Sequence, residues 1–457
     1  METHHHKRSA FSGKLGFVLS AAGASVGLGN IWRFPYLAAK YGGGIFLLIY
    51  IILAFTFGYT MIVAETALGR MTKKSPVGAF AAFGKGGGFA FGGWINAIIP
   101  ILIVPYYSVI GGWVIKYLVE YLRGGGSALA QDGYFSEFIS SGVSVELCFV
   151  VFTLFTLGII YAGVRNGVER VSKCMMPVLA VLSVIIAVYS VTRPGALAGV
   201  KYFLVPNLDN FSWMTVVSAM GQMFYSLSIA MGILITFGSY MKKDVSIEGS
   251  TTNVEIFDTA IAIMAGLMII PAVFAFSGGD PDTLQAGPAL MFITIPKVFD
   301  SMGMGTVVGV MFFLLVLFAA VTSSIALTES AVSTFEDELG WKRHKSTLLI
   351  GVIMLALGSL SALGYGPLAG VTVFGMQFLD LFDFLTNSVM MPIAAIATCL
   401  LVSRVVGVDK IEEEVTQEGG RFRRKAIFNF MIRYLCPLFA AIILVSSVAN
   451  ALGWIKM

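Results

Sequence analysis

Long apolar segments recur along this chain and are separated by short polar stretches. A helix of about 20 apolar residues is long enough to cross the hydrocarbon core of a bilayer. The segments that meet this criterion, and that we predict to span a membrane, are 13–37, 43–70, 89–122, 145–163, 169–192, 213–240, 256–277, 304–335, 346–364, 371–403 and 426–453. The pattern therefore predicts an all-α membrane protein with about eleven transmembrane helices, folded as a single domain over residues 1–457.

The first apolar segment is interrupted by residues that suit a lipid-facing helix poorly. Between Gly23 and Pro35 it contains three glycines, Asn30 and Arg33. Irregular backbone at membrane depth is tolerated only where protein or a water-filled cavity surrounds it. The run therefore predicts a broken helix whose free carbonyl and amide groups bind a polar ligand near the midplane. A close-packed helix face of small residues is the alternative, and Asn30 and Arg33 favour the binding site.

The sixth segment is interrupted in a similar way, by small and polar residues between Gly221 and Gly232. Broken segments at matching positions in two halves of a chain indicate a transporter binding site. An odd number of spans in each half gives the halves opposite topology. We therefore predict an inverted 5+5 repeat over 13–192 and 213–403, with 426–453 as an extra C-terminal helix. A packing helix lined with serine and glycine is the alternative for the sixth segment.

Composition and charge agree with a membrane setting, since 57% of the residues are hydrophobic and 12% are charged. An ordinary soluble domain carries about 25% charged residues. Lys and Arg concentrate in alternate loops, from Arg8 near the start to Arg421 and Lys425 near the end. Cytoplasmic loops carry this excess, so we predict a multi-pass plasma-membrane protein with a cytoplasmic N-terminus and an outside C-terminus. The net charge of +4 gives no reason to expect a nucleic-acid partner.

Two other function classes fit the sequence poorly. The four cysteines lack metal-ligand spacing, and His344 is the only histidine outside the N-terminal run. No zinc or nucleophile motif is present, so we do not expect an enzyme. A channel needs a continuous polar pore, whereas the polar residues here cluster at the middle of apolar segments.

Four short motifs occur in a fixed order along the chain. They are the glycine-rich run from Gly23 to Pro35, Gly-Gly-Gly-x-Phe at Gly42 to Phe46, the run from Gly221 to Ser228, and Thr322 to Ala326. Together they resemble the neurotransmitter:sodium symporter family, in particular its bacterial amino-acid branch of the leucine-transporter and multi-hydrophobic amino-acid transporter type. The resemblance extends from about Phe11 to the last span and implies sodium-coupled amino-acid import by alternating access. It departs from the family at two points, since the usual twelfth helix is absent and Asp258 replaces the leucine-transporter asparagine.

The resemblance implies two bound sodium ions, which are hard cations that prefer oxygen ligands. It assigns the first ion to the Ser25 carbonyl, Asn30, Ser226, Asp258 and the substrate carboxylate. It assigns the second ion to the carbonyls of Gly23, Val26 and Ala319 and the hydroxyls of Thr322 and Ser323. Hydroxyls that bond only to their own helix are the alternative for the second set. Chloride is not expected to be required, because an ionised Asp258 can supply the negative charge. A protonated Asp258 that only donates a hydrogen bond is the alternative.

The same resemblance implies a small-molecule substrate that carries a carboxylate. Amide groups of Leu28 and Gly29 and the phenol of Tyr107 are expected to bind that carboxylate. Gly27 stands where the family's amine transporters carry Asp, which favours an amino acid over a monoamine. The predicted substrate-binding residues are Ser25, Leu28, Gly29, Ile103, Tyr107, Tyr225, Ser226, Ser228, Met231, Ser323 and Leu327. The pocket lacks a charge for a charged side chain, so we predict hydrophobic L-amino acids, both aliphatic and aromatic.

Residues near the two ends of the pathway are predicted to act as gates. The outer set is Arg33 and Asp383, with Tyr107 and Tyr225 as a lid. The inner set is Arg8 and Asp337, with Ser239, Tyr240 and Phe11; ordinary interfacial charge is the alternative for the ion pair. Gly167 and Pro177 are expected to let the start of the fifth helix unwind, and a static kink is the alternative. An amino-acid sensor and a proton-coupled transporter are the alternative functions on this fold.

Overall fold

The structure is a computed structural model that describes residues 9–83, 87–278, 287–451 and 453–454, with the backbone alone at 87 and 88. Arg8, predicted as half of the inner gate, lies outside the described residues. Helices dominate the described ranges. Extended pairing there is limited to one bridge between Val373 and Met376. The prediction of an all-α protein is confirmed.

The main helices are numbered here in chain order. They are α1 (Lys14–Ser25), α2 (Gly29–Lys40), α3 (Gly44–Thr72), α4 (Gly87–Leu122), α5 (Val143–Tyr161), α6 (Val164–Val191), α7 (Trp213–Ser226), α8 (Ile233–Tyr240), α9 (Ile247–Ser277), α10 (Gly305–Leu339), α11 (Arg343–Leu363), α12 (Phe378–Val406) and α13 (Lys425–Ala451). Shorter helices connect them: Pro76–Phe83, Gly126–Leu129, Tyr134–Ser140, Ala196–Leu204, Ile295–Asp300 and Val408–Thr416.

The first predicted span is broken in the structure. α1 ends at Ser25, and the next residue, Val26, has extended backbone angles of φ −74° and ψ 91°. The axis of α2 is bent by 55° from that of α1. Backbone groups on both sides of the break therefore lack partners within a helix.

The sixth predicted span is broken more severely. Between α7 and α8 the backbone takes positive φ at Ser228 (53°), Ala230 (59°) and Gly232 (70°). A left-handed conformation costs little at glycine but is uncommon at other residues. Ser228 and Ala230 therefore need tertiary contacts to stay in this conformation.

The number of spans in the described residues agrees only partly with the predicted number. Nine helices, α3 to α6 and α9 to α13, are long and apolar enough to cross a membrane, and the bent pair α1 and α2 makes a tenth. α7 has 14 residues and α8 has 8, so neither is long enough alone. The total of eleven stays a prediction that depends on counting this pair as one span. The boundaries of the inverted repeat also stay predictions.

Burial separates a central scaffold from a lipid-facing periphery. In the most apolar part of α10, 72% of the residues are buried, whereas in α13 only 28% are buried. α10 packs extensively along α4, and α1 contacts α9 and α10. The two broken helices therefore lie inside the bundle, where other helices can satisfy their free backbone groups.

α3 and α8 cross in direct backbone contact at two glycines. A Cβ atom on Gly69 would overlap the carbonyl oxygen of Ile235, and one on Gly238 would overlap the carbonyl oxygen of Thr66. Small residues at a crossing let two helix backbones approach closely. This contact fixes α8, which begins directly after the second break, against α3.

Gly69→Ala is expected to lower the stability of the fold, because the added methyl group forces α3 and α8 apart. Overpacking of this kind costs about 1–3 kcal/mol. The measurement is the midpoint of thermal unfolding in detergent. Gly158→Ala in α5 is the matched control, because a Cβ there has no atom within 4 Å. Equal midpoints for the two variants would contradict the close crossing.

Candidate functional site

The two helix breaks meet in the middle of the bundle and satisfy each other's backbone. Ser228 Oγ, in the second break, donates to the carbonyl oxygen of Ala24 at 2.9 Å. Gln222 Nε2 of α7 donates to the carbonyl oxygen of Gly29 at 3.1 Å. The Ala24 carbonyl in the last turn of α1 thus accepts from a side chain instead of water. The Gly29 carbonyl accepts the backbone N–H of Phe34 as well, so Gln222 adds a second hydrogen bond there. The breaks form one joint polar region.

Glu65 of α3 satisfies the second break from another side. Its Oε1 accepts the backbone N–H of Ala230 at 2.8 Å, and its side chain is fully buried. Ala230 is one of the residues held at positive φ. Sequence reasoning missed Glu65, although an acidic residue inside an apolar segment is itself a functional signal.

A cluster of polar side chains lies beside the first break, around the carboxylate of Asp258 in α9. Asn30 Nδ2 donates to Asp258 Oδ1 at 2.8 Å, and Ser226 Oγ lies 3.0 Å from Oδ2. The Tyr50 hydroxyl lies 3.1 Å from both Ser226 Oγ and Asp258 Oδ2. The structure brings the predicted Asn30, Ser226 and Asp258 together. It adds Tyr50, which sequence reasoning missed because nothing marks one tyrosine among sixteen.

A second oxygen-rich cluster joins α10 to the end of α1. Ser323 Oγ lies 3.1 Å from the carbonyl oxygen of Gly23 and 3.4 Å from that of Val26. Thr322 Oγ1 bonds within its own helix, to the carbonyl oxygens of Phe318 and Ala319. A Cβ on Gly23 would lie 3.0 Å from Thr322 Cβ, so the two helices are in contact here. These neutral oxygens are the donor type that a hard cation prefers.

Ser25 is the remaining residue predicted for the first ion. Its hydroxyl bonds back to the carbonyl oxygen of Ala21 at 3.1 Å, as serines in helices often do. Ser25 is the last residue of α1. Its own carbonyl is therefore among the groups freed by the break.

A small cavity of about 30 Å³ lies between the two breaks. It is lined by Ala24, Ser25, Gly27, Leu28, Gly29, Asn30, Ile103, Tyr107, Tyr225, Ser228, Met231, Ser323 and Leu327. Every predicted substrate-binding residue except Ser226 lines it. Ser226 instead faces the Asp258 cluster, where its hydroxyl is engaged. None of the described residues that line the cavity is charged.

Tyr225 separates this cavity from a larger one of about 540 Å³. In the part of the chain that the structure describes, it is the one residue that lines both cavities. The ring lies so close to Gly29 that a Cβ there would overlap it. The guanidinium carbon of Arg33 lies 5.3 Å from the centre of the same ring, within cation–π range. Tyr225 therefore forms a wall between the two cavities.

Arg33 and Asp383 line the larger cavity together but do not form an ion pair. Asp383 Oδ1 instead accepts from the hydroxyl of Tyr106 at 3.2 Å and from Asn387 Nδ2 at 2.5 Å. Tyr107, predicted as part of the lid, lines only the small cavity. The gating role of these residues stays a prediction.

Comparison with known proteins identifies the family. The model of the Sodium:neurotransmitter symporter family matches residues 8–125 and 135–454. The chain belongs to this family. It is 34% identical over 441 residues to the sodium-dependent transporter YhdH of Bacillus subtilis, covering 95% of this chain and 96% of that one. It is 30% identical over 461 residues to a sodium-dependent transporter of Haemophilus influenzae, covering 98% and 100%.

A solved structure of the same family is also similar. The crystal structure of MhsT in complex with L-phenylalanine matches with a TM-score of 0.86 and 34% sequence identity, covering 96% of this chain and 100% of that one. The family and the membrane fold predicted from the four motifs are confirmed.

The side of this symporter opposite the large cavity is closed by packed aromatic rings. Phe11 is buried, and its ring centre lies 5.5 Å from that of Phe237 and 5.9 Å from that of Tyr240. The backbone N–H of Phe11 donates to the carbonyl oxygen of Tyr240 at 3.1 Å. The predicted inner residues Phe11 and Tyr240 are thus in contact, and the Phe11 ring packs against the C-terminal end of α8.

Other polar contacts hold the same end of the molecule. The Tyr240 hydroxyl donates to Glu329 at 2.7 Å, and Glu329 also pairs with Arg343. Asp337 Oδ2 accepts the backbone N–H of Ser75 at 2.6 Å, and Ser239 Oγ donates to the carbonyl oxygen of Thr236. Sequence reasoning missed the charge pair of Glu329 and Arg343.

The start of α6 is helical in this structure and contains both predicted unwinding residues. Gly167 lies in a π-helical turn, Val164–Glu169, and Pro177 lies in the α-helix that follows. A Cβ on Gly167 would overlap the carbonyl oxygen of Ile159 at the end of α5. Close packing against α5 thus explains why position 167 is a glycine. Unwinding stays a prediction.

Glu65→Leu is expected to destabilise the fold, because the buried N–H of Ala230 loses its acceptor. An unsatisfied buried donor costs about 1–3 kcal/mol. The measurement is the midpoint of thermal unfolding in detergent.

Glu65→Gln is the matched control, because its amide oxygen can still accept the hydrogen bond. The glutamine variant should unfold close to the native protein. If the leucine variant were as stable as the glutamine variant, the bond to Ala230 would have no structural role.

Proposed function

We propose that this protein imports neutral hydrophobic L-amino acids together with sodium ions, by alternating access. The observation that carries the proposal is the small cavity between the two helix breaks, which combines backbone amide groups at the start of α2 with an apolar end. The similar MhsT structure holds L-phenylalanine. An amino acid has a polar end and a side chain that match these two parts.

The polar end of the cavity suits a carboxylate. The backbone N–H of Leu28 points toward the Tyr107 hydroxyl at 3.3 Å, and Gly29 begins α2. The amino end of a helix carries partial positive charge and attracts anions. Positions Gly27 and Gly29 leave no room for a side chain carboxylate, since a Cβ on Gly27 would lie 2.8 Å from Ser323 Oγ. The negative charge at this end therefore has to come from the substrate.

The other end of the cavity suits an apolar side chain. Ile103, Met231 and Leu327 line it and are almost completely buried. A charged substrate side chain would lose its hydration here without gaining a partner, which is costly. Methionine adapts to differently shaped neighbours, so we propose that aliphatic and aromatic substrates are both accepted.

The two oxygen clusters beside the cavity are the proposed sodium sites. The first consists of Asn30, Ser226, Asp258 and the carbonyl of Ser25, with the substrate carboxylate as a further ligand. The second consists of the carbonyls of Gly23, Val26 and Ala319 with Thr322 and Ser323. Both clusters touch the break in the first helix, so bound ions would tie α1 to α9 and α10. We propose that this link couples sodium to substrate.

The function is tested by uptake of radiolabelled amino acids into proteoliposomes under a sodium gradient. We expect uptake of leucine, phenylalanine and tryptophan, and no uptake of lysine or glutamate. Binding without uptake would replace the proposal with a sensor. Uptake driven by a pH gradient without sodium would replace it with a proton-coupled transporter.

Replacing Thr322 by Val and Ser323 by Ala is expected to abolish sodium-driven uptake. Each ligand to a charged group contributes about 1.5–3 kcal/mol, so two losses weaken sodium binding by about 100-fold or more. Thr328→Val is the matched control, since Thr328 Oγ1 bonds only to the carbonyl oxygen of Ser324 in the same helix. Full uptake by the double variant would rule out the second sodium site.

Uptake is expected to be independent of chloride. Burying a sodium ion without a nearby negative charge costs several kcal/mol. The carboxylate of Asp258, which accepts from Asn30 in the first proposed sodium site, supplies that charge. Replacing chloride by gluconate should therefore leave native uptake unchanged. Asp258→Asn should lose uptake or become stimulated by chloride. A native protein that stops transporting in gluconate would contradict this role of Asp258.

A further inference from the structure

Two exposed arginines on apolar helices lack a carboxylate partner among the described residues. Arg404 lies near the end of α12 and Arg433 lies inside α13, and both side chains are exposed. Among the described residues, neither has an acidic group within salt-bridge distance. Both belong to apolar helices that are long enough to span a membrane.

Three cations close to these two arginines in the sequence or in the fold have acidic partners. Arg70 contacts Glu414 at 2.5 Å, Arg424 contacts Glu255 at 2.7 Å, and Lys425 contacts Glu412 at 2.5 Å. The fold thus supplies acidic partners to the cations that pack against protein. Arg404 and Arg433 have no such partner among the described residues.

The two arginines lie on segments that pack against each other. Arg404 is in the π-helical turn Leu401–Val406 and Arg433 is in the π-helical turn Met431–Leu435, and these turns are in contact. Arg433 is eight residues after Lys425, about 12 Å along the helix axis at 1.5 Å per residue. Phe430 and Tyr434 flank it, with exposed fractions of 55% and 62%. Aromatic rings of this kind are typical of the membrane interface.

We propose that Arg404 and Arg433 form a binding site for the phosphate of an anionic phospholipid. A charge on the lipid-facing surface of a span is costly unless a counter-charge reaches it. Guanidinium groups bind phosphate with paired hydrogen bonds. The acyl chains of the same lipid would lie along exposed apolar residues such as Leu438. The partner is therefore a membrane lipid rather than a free anion.

The test is native mass spectrometry of the delipidated full chain with added phosphatidylglycerol or phosphatidylcholine. We expect the native protein to prefer phosphatidylglycerol. The double variant Arg404→Gln, Arg433→Gln should bind it about 30-fold more weakly, at about 1 kcal/mol per arginine near a membrane surface. The variant pair Lys342→Gln, Lys345→Gln is the control, because both lysines are exposed in and next to a loop. It should keep the native preference.

Two further measurements keep the proposal falsifiable if the glutamine variant fails to fold. Arg404→Lys with Arg433→Lys should retain most of the preference, because the charges remain. A photoreactive phosphatidylglycerol should label the native protein near residues 401–406 and 431–435, and millimolar inorganic phosphate should not prevent it. No preference in the native protein, an unchanged preference in the glutamine variant, labelling elsewhere or displacement by free phosphate would each overturn the proposal.

Discussion

Every polar backbone group inside a membrane needs a partner from the protein, and this requirement shapes the centre of the molecule. Two helices break there, and each break frees carbonyl and amide groups. Ser228 reaches across to the carbonyl of Ala24, Gln222 reaches to that of Gly29, and Glu65 accepts the amide of Ala230. Ser228 and Glu65 thus provide partners for backbone groups at the breaks, and Gln222 adds a hydrogen bond to a carbonyl that α2 already satisfies.

The same requirement explains why ionisable groups cluster in the bundle. Asp258 is surrounded by the donors Asn30, Ser226 and Tyr50, and Glu329 is held by Tyr240 and Arg343. Each carboxylate is satisfied by groups from at least two other segments of the chain. Such clusters therefore link helices that are distant in sequence through specific hydrogen bonds.

Sequence patterns predicted the fold and most of the cavity, and the failures have physical reasons. Nine of the thirteen cavity residues lie in the motif runs, because broken helices carry unusual glycines and polar residues, and the other four came only from the family resemblance. Tyr50 and Glu65 were missed, because their roles come from partners 208 and 165 positions away. α9 begins at Ile247 rather than at 256, because its first turns bury polar residues such as Glu248 and Thr251, which a hydropathy criterion rejects. Local patterns identify breaks well, but they do not identify the partners of those breaks.

The two sides of the small cavity differ in how easily the residues that close them can move. At about 30 Å³ the cavity has room for about two water molecules and is smaller than an amino acid. Its volume must increase before a substrate fits. On one side stands Tyr225, whose ring borders the open space of the large cavity. On the other side, α8 is locked by the backbone contact at Gly69 and by the rings around Phe11. A single aromatic ring can rotate at much lower cost than a packed helix can move. This difference favours the prediction that Tyr225, rather than the residues around α8, is the movable lid of the small cavity.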